Sequence, residues 1–183
     1  SELDDIIRKI EELIRDDERK VRKAVRENED LSRRDEERVR KVIDEARKLL
    51  KRLEEIAREI KDKDTLREIL EEIKKRLEEL VKTLKDTNRK SKRDSERSVE
   101  EVRKTNEKSR RDLERLAKEL ADREGRKSEK LDELRKRLED LIRETEKELR
   151  RLERENDEIE KRTEDLLRRL REELRRIVEE VER

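Results

Sequence analysis

Cysteine, histidine, methionine, proline, phenylalanine, tyrosine and tryptophan are all missing from this 183-residue chain, and glycine occurs once. Each absence excludes something. Without cysteine or histidine there is no disulfide, no thiolate nucleophile, no soft or imidazole metal ligand and no side chain that titrates near neutral pH. Without aromatic rings the chain has no platform for stacking nucleobases and no bulky wall for a small-molecule pocket. Without proline, and with one glycine, it has almost nothing to interrupt a helix. Charge of a single sign is lacking too: 58 basic residues face 57 acidic ones, for a net charge of +1. The most basic short run, Arg89 to Arg97, is broken by Asp94 and Glu96, so the one-signed field that nucleic-acid binding needs is not formed. No apolar run approaches membrane-spanning length and no signal or transit segment leads the chain, so a soluble protein is expected.

What remains is 63% charged and 27% hydrophobic. Read as composition alone, this suggests disorder or an isolated charged helix. The order of the residues overrules that reading. In the first third the apolar stripe reads Leu3, Ile6, Ile7, Ile10, Leu13, Ile14, Val21, Ala24, Val25, Leu31, Val39, Val42, Ile43, Ala46, Leu49, Leu50 and Leu53, one-sided on a helix with a period of eighteen. Five turns of undistorted α-helix take eighteen residues, so this pattern keeps one face forward without supercoiling, unlike a seven-residue repeat. Glu and Lys or Arg recur three and four apart around the stripe, which makes the remaining surface a solvated, weakly paired face.

The stripe breaks twice. Lys61-Asp62-Lys63-Asp64-Thr65 separates the first two segments, with Thr65 and Glu68 reading as a capping box, and Gly125 followed by Ser128 separates the second from the third, Gly125 as the left-handed C′ residue and Ser128 as an N-cap. Ser1 with Asp4 has a related arrangement at the start. Expected helices span 2–62, 65–124 and 128–182, each roughly 90 Å long at 1.5 Å per residue. Short connections between helices of matched length predict one all-α domain over 1–183, a long antiparallel up-down-up three-helix bundle with straight, nearly untwisted helices.

The period also marks stripe positions that should be apolar and are not. Asp17, Asn28, Ser32 and Asp35 occupy the first stripe; Thr87, Asn88, Ser91, Ser95, Ser98, Thr105, Asn106 and Ser109 the second; Thr145, Asn156 and Thr163 the third. Folding the chain at its two breaks places Asp17 near Ser109 and Asn106 with Thr145 at that height. Asn28 falls near Ser98 and Asn156, Ser32 near Ser95, and Asp35 near Ser91 and Asn88 with Thr163. Three polar layers are expected, held by hydrogen bonds, because an unpaired buried polar group costs about 1–3 kcal/mol. Such layers penalise a helix slipped along its axis. The competing reading is a wet centre in which Asp17 and Asp35 are solvated or reached by a neighbouring Arg.

With these stripes, matched segment lengths and a Glu/Lys/Arg-saturated surface, the chain resembles parametrically designed straight three-helix bundles with an eighteen-residue repeat and buried hydrogen-bond networks. The resemblance implies a structural scaffold with no natural biochemical activity, no catalytic residue, no cofactor or metal, no nucleic-acid or membrane partner, and a monomeric state. The alternative is a helix-binding or switch module that engages another helix or a second copy through its stripe. A Ser beside an Asp, as at Asp17 and Ser109, lacks the general base that nucleophilic catalysis would need.

Overall fold

The computed structural model describes residues 2–124 and 128–183. It is an all-α three-helix bundle: α1 (Glu2–Glu59), α2 (Lys63–Glu124) and α3 (Glu129–Glu182). The expected caps at Ser1 and Gly125 lie outside the described residues. No helix among those described is long and apolar enough to cross a membrane.

The first turn falls earlier in the chain than the sequence suggests. Helix α1 stops at Glu59 and α2 opens at Lys63 rather than Thr65, because Asp62, not Thr65, is the cap. Its Oδ1 accepts the Asp64 amide at 3.2 Å, while the Thr65 hydroxyl donates to its other oxygen at 2.8 Å. An aspartate carboxylate is the stronger acceptor for the free amides of a first turn and also meets the positive end of the helix dipole. At the start of α3, Ser128 Oγ accepts the Leu131 amide at 3.4 Å.

Packing divides the chain into two compact units, each drawing on all three helices: Ser1–Asp30 with Asp94–Arg154, and Leu31–Arg93 with Glu155–Arg183. In the first, Glu2 pairs with Arg123, Asp17 with Ser109 and Asn28 with Ser98, so α1 and α2 are antiparallel. Arg135 pairs with Glu114 and Arg103 with Glu146, so α2 and α3 are antiparallel as well. The second unit has the same order, with Arg76 on Glu45 and Lys92 on Glu160.

The apolar stripes form the core. The first unit holds two clusters, one around Ile10, Ile14, Leu113, Leu120 and Leu138, the other around Val21, Val99, Val102, Leu149 and Leu152. The second unit holds one, around Ile43, Leu50, Leu53, Leu84 and Leu167. Burial repeats at eighteen on every helix. Ile14, Ser32 and Leu50 are buried on α1; Leu66, Leu84, Val102 and Leu120 on α2; Leu131, Leu149 and Leu167 on α3. No large hydrophobic side chain among the described residues is exposed. Ion pairs cross between helices around this core, but they are solvent-facing and each contributes little. In the pair between Arg110 and Glu139 the guanidinium hydrogen bond holds the Glu139 carboxyl below its ordinary range.

Candidate functional site

The stripe's polar residues are the only candidates the sequence offers for a site, and burial sets them apart from the solvated surface. In the first unit Asp17 lies one turn beyond Ile14 on the same face of α1, and 2% of it is exposed. Ser109 on α2 donates its hydroxyl to Asp17 Oδ1 at 2.8 Å. One turn away on the same face, Asn106 meets the same carboxylate. With its amide nitrogen oriented toward the acceptors, as a buried amide beside a carboxylate requires, it lies 2.9 Å from Oδ2 and 3.3 Å from Oδ1. Burial raises the Asp17 pKa above the ordinary carboxylate value, and the Ser109 hydrogen bond and the Lys20 charge oppose the rise without cancelling it. Thr145 is buried too, but its hydroxyl donates to the Leu141 carbonyl of its own helix at 2.8 Å. This layer divides the two apolar clusters of its unit.

The same four residue types recur eighteen positions on, in the second unit, as Asp35, Asn88, Ser91 and Thr163. Ser91 donates to Asp35 Oδ2 at 2.7 Å, and Thr163 donates to its own Ile159 carbonyl at 2.7 Å. The amide behaves differently. Arg38 Nη1 takes Asp35 Oδ1 at 2.9 Å, and Asn88 is left with a buried Oδ1 that has no hydrogen-bond partner. A layer with its amide bonded to the aspartate and a relative with one unsatisfied amide oxygen thus share one sequence pattern.

The remaining polar residues complete each unit. In the first, Asn28 Nδ2 donates to Ser98 Oγ at 2.9 Å and to the Ala24 carbonyl at 3.4 Å, while its Oδ1 accepts the Ser95 hydroxyl. In the second, Ser32 donates to Asn156 Oδ1 at 3.1 Å. Residue numbering places Ser95 opposite Ser32 and Asn156 beside Asn28; the bonds above run from Ser95 to Asn28 and from Ser32 to Asn156. Thr87 and Thr105, also on the expected stripe, are half-buried and bond back to Thr83 and Glu101 on α2.

Sequence reasoning did not single out Arg38. Its signal was present in the three-residue spacing from Asp35, which lets a long side chain fold back over one helical turn. Among the described residues no group of three or more acidic, histidine or cysteine side chains is arranged to hold a metal ion.

No protein-family model and no curated protein matches the chain. Among solved structures, one described as a "Computationally designed three helix bundle" is similar, at 21% sequence identity over 99% of this chain and 84% of that one, with a TM-score of 0.36.

Proposed function

We propose that this chain is a designed structural scaffold, without enzymatic activity, in which buried polar layers fix the axial register of helices whose apolar stripes are otherwise interchangeable. The observation that carries this reading is the doubled layer. Asp17, Asn106, Ser109 and Thr145 reappear as Asp35, Asn88, Ser91 and Thr163 after five helical turns. A stripe of Leu, Ile and Val alone would pack nearly as well after a slip of one turn, whereas the layers set Asp or Asn against Leu when slipped. The covered stripe also favours a scaffold over a module that engages a further helix, since such a module would present large apolar side chains to solvent.

Replacing Asn28, Ser95 and Ser98 together with apolar residues tests the register role. Spin-label distances between α1 and α2 are expected to broaden into more than one population while helical content is kept. A single narrow distance in the triple variant would sink the proposal. Light scattering is expected to give the 22.6 kDa of one chain at micromolar concentration. A stable dimer would favour the stripe-pairing alternative.

A further inference from the structure

The internal repeat provides a comparison for every surface position, and one seam between α2 and α3 departs from it. In the first unit Arg103 of α2 reaches across to Glu146 and Glu153 of α3, at 3.0 and 2.6 Å, and bridges the seam. Eighteen residues earlier on α2 the corresponding residue is Lys85, and eighteen later on α3 the counterpart of Glu153 is Arg171. Glu146 keeps an acidic counterpart in Glu164, so of the two pairs made by Arg103 only the one to Glu153 is replaced by a cation, Arg171, across the seam from another, Lys85. Arg89, one turn beyond Lys85, adds a third. Lys85, Arg89 and Arg171 form no ion pair among the described residues.

The seam there is an open groove of about 470 Å³ floored by Leu77, Val81, Leu167, Leu170 and Leu174. A second hollow of about 500 Å³ runs on toward Asn88 and Thr163, and Lys85, Arg89, Leu167 and Arg171 line both. The three cations thus stand at the junction, with aliphatic floor to one side, while the carboxylates of the lining are Glu78 and Asp86 in the first hollow and Asp35, Glu160 and Glu164 in the second. From Leu77 to Arg89 the groove follows α2 for about 18 Å at 1.5 Å per residue, room for an extended chain of roughly a dozen carbons.

We propose that this groove binds a free single-chain alkyl carboxylate. Its headgroup lies among Lys85, Arg89 and Arg171 and its hydrocarbon along Leu77, Val81, Leu170 and Leu174. The charge selects the occupant: an anionic head supplies the carboxylate that Glu153 supplies in the other copy, and the tail covers the half-buried Val81 and Leu174 over the buried floor. A narrow aliphatic groove admits a flexible chain more readily than a flat ring.

Titration calorimetry with dodecanoate, kept below micelle formation, tests this on the intact chain. Saturable binding of one molecule is expected. The double variant Lys85→Arg with Arg171→Glu recreates the Arg103–Glu153 bridge and should weaken binding at least tenfold while leaving the circular dichroism spectrum unchanged. Arg89→Gln, a milder change that keeps the seam's packing, should weaken it severalfold and serves if the double variant does not fold. Chemical shifts are expected to move at Val81 and Leu174. No saturable heat, undiminished binding by the variants, or equal affinity for dodecyltrimethylammonium would overturn the proposal. So would binding to anionic phospholipid vesicles without binding of monomeric dodecanoate.

Discussion

Arg38 folds back one turn along α1 to donate to Asp35 at 2.9 Å, whereas Lys20, its equivalent eighteen residues earlier, acts on Asp17 through charge alone. That one difference accompanies a reorganised layer. Without an arginine, Asp17 takes its second donor from Asn106 on the neighbouring helix. Asp35 takes its second donor from Arg38, and in the same layer the Oδ1 of Asn88 is buried without a donor.

The two amides should therefore respond oppositely to the same change. Asn88→Leu removes an unsatisfied buried oxygen and is expected to stabilise the protein by about 1 kcal/mol. Asn106→Leu leaves the Asp17 carboxylate with the Ser109 hydroxyl as its remaining donor and is expected to cost about 1–3 kcal/mol. Urea midpoints of the two variants decide the point, and equal shifts of the same sign would contradict the structure.

Acid should relieve Asp17. Its folded pKa lies above the unfolded value, so the folded state binds the extra proton first. The penalty is absent below about the model-peptide value of 3.9, grows as pH rises through the folded pKa, and is complete above it. Asp17→Asn is expected to remove that penalty, so its stability advantage over the parent should be largest at neutral pH and vanish in acid. Glu139, held low by Arg110, has the opposite sign: its contribution is present above the ordinary glutamate pKa and fades as pH falls through the folded value. Denaturant titrations of the parent, Asp17→Asn and Glu139→Gln across this range separate the two.

Lys20→Arg should give Asp17 the partner that Asp35 has. The expected outcome is an Asp17 pKa brought down toward the ordinary range and loosened ordering of the Asn106 amide. Both are measurable by carbon-detected NMR of the carboxyl and by exchange of the side-chain amide protons. An unchanged Asp17 titration would show that the fold there does not admit the arginine geometry.

Core truncations should be felt unit by unit. Ile14→Ala and Leu84→Ala each remove a fully buried side chain and are expected to cost about 2–5 kcal/mol, according to how far the site collapses. Amide exchange is expected to accelerate first around Leu113 and Leu138 in the former and around Leu50 and Leu167 in the latter. Uniform acceleration along the whole chain would point instead to a single cooperative transition.

The helices and their buried faces were legible because burial here follows periodicity alone. With no proline, one glycine and no aromatic ring, no local feature competes with the stripe, and positions such as Leu84 and Leu149 could be assigned by counting. The first turn was less legible, since Asp62 and Thr65 are both competent caps and only their relative geometry chooses between them. In the polar layers counting brought together Asp17 and Ser109, Asn28 and Ser98, and Asp35 and Ser91, which are bonded, but it did not foresee every bond. Counting puts Thr145 and Thr163 at the level of the two aspartates, yet each satisfies its hydroxyl one turn back on its own helix, as a threonine on a helix can. Counting likewise cannot say that Arg38 reaches its aspartate while Lys20 does not, because guanidinium reach and fork geometry decide that.

Those two threonines have a consequence for how the helices could come apart. In the layers that hold Asp17 and Asp35, the side-chain bonds between helices join α1 to α2, while α3 contributes a hydroxyl turned back on its own backbone. At these levels α3 is held by shape and α1 and α2 by chemistry. Loosening α3 at these levels breaks neither aspartate's bonds, so its side-chain ties to the other helices lie elsewhere, in the Ser32–Asn156 bond and in ion pairs such as Arg135 with Glu114.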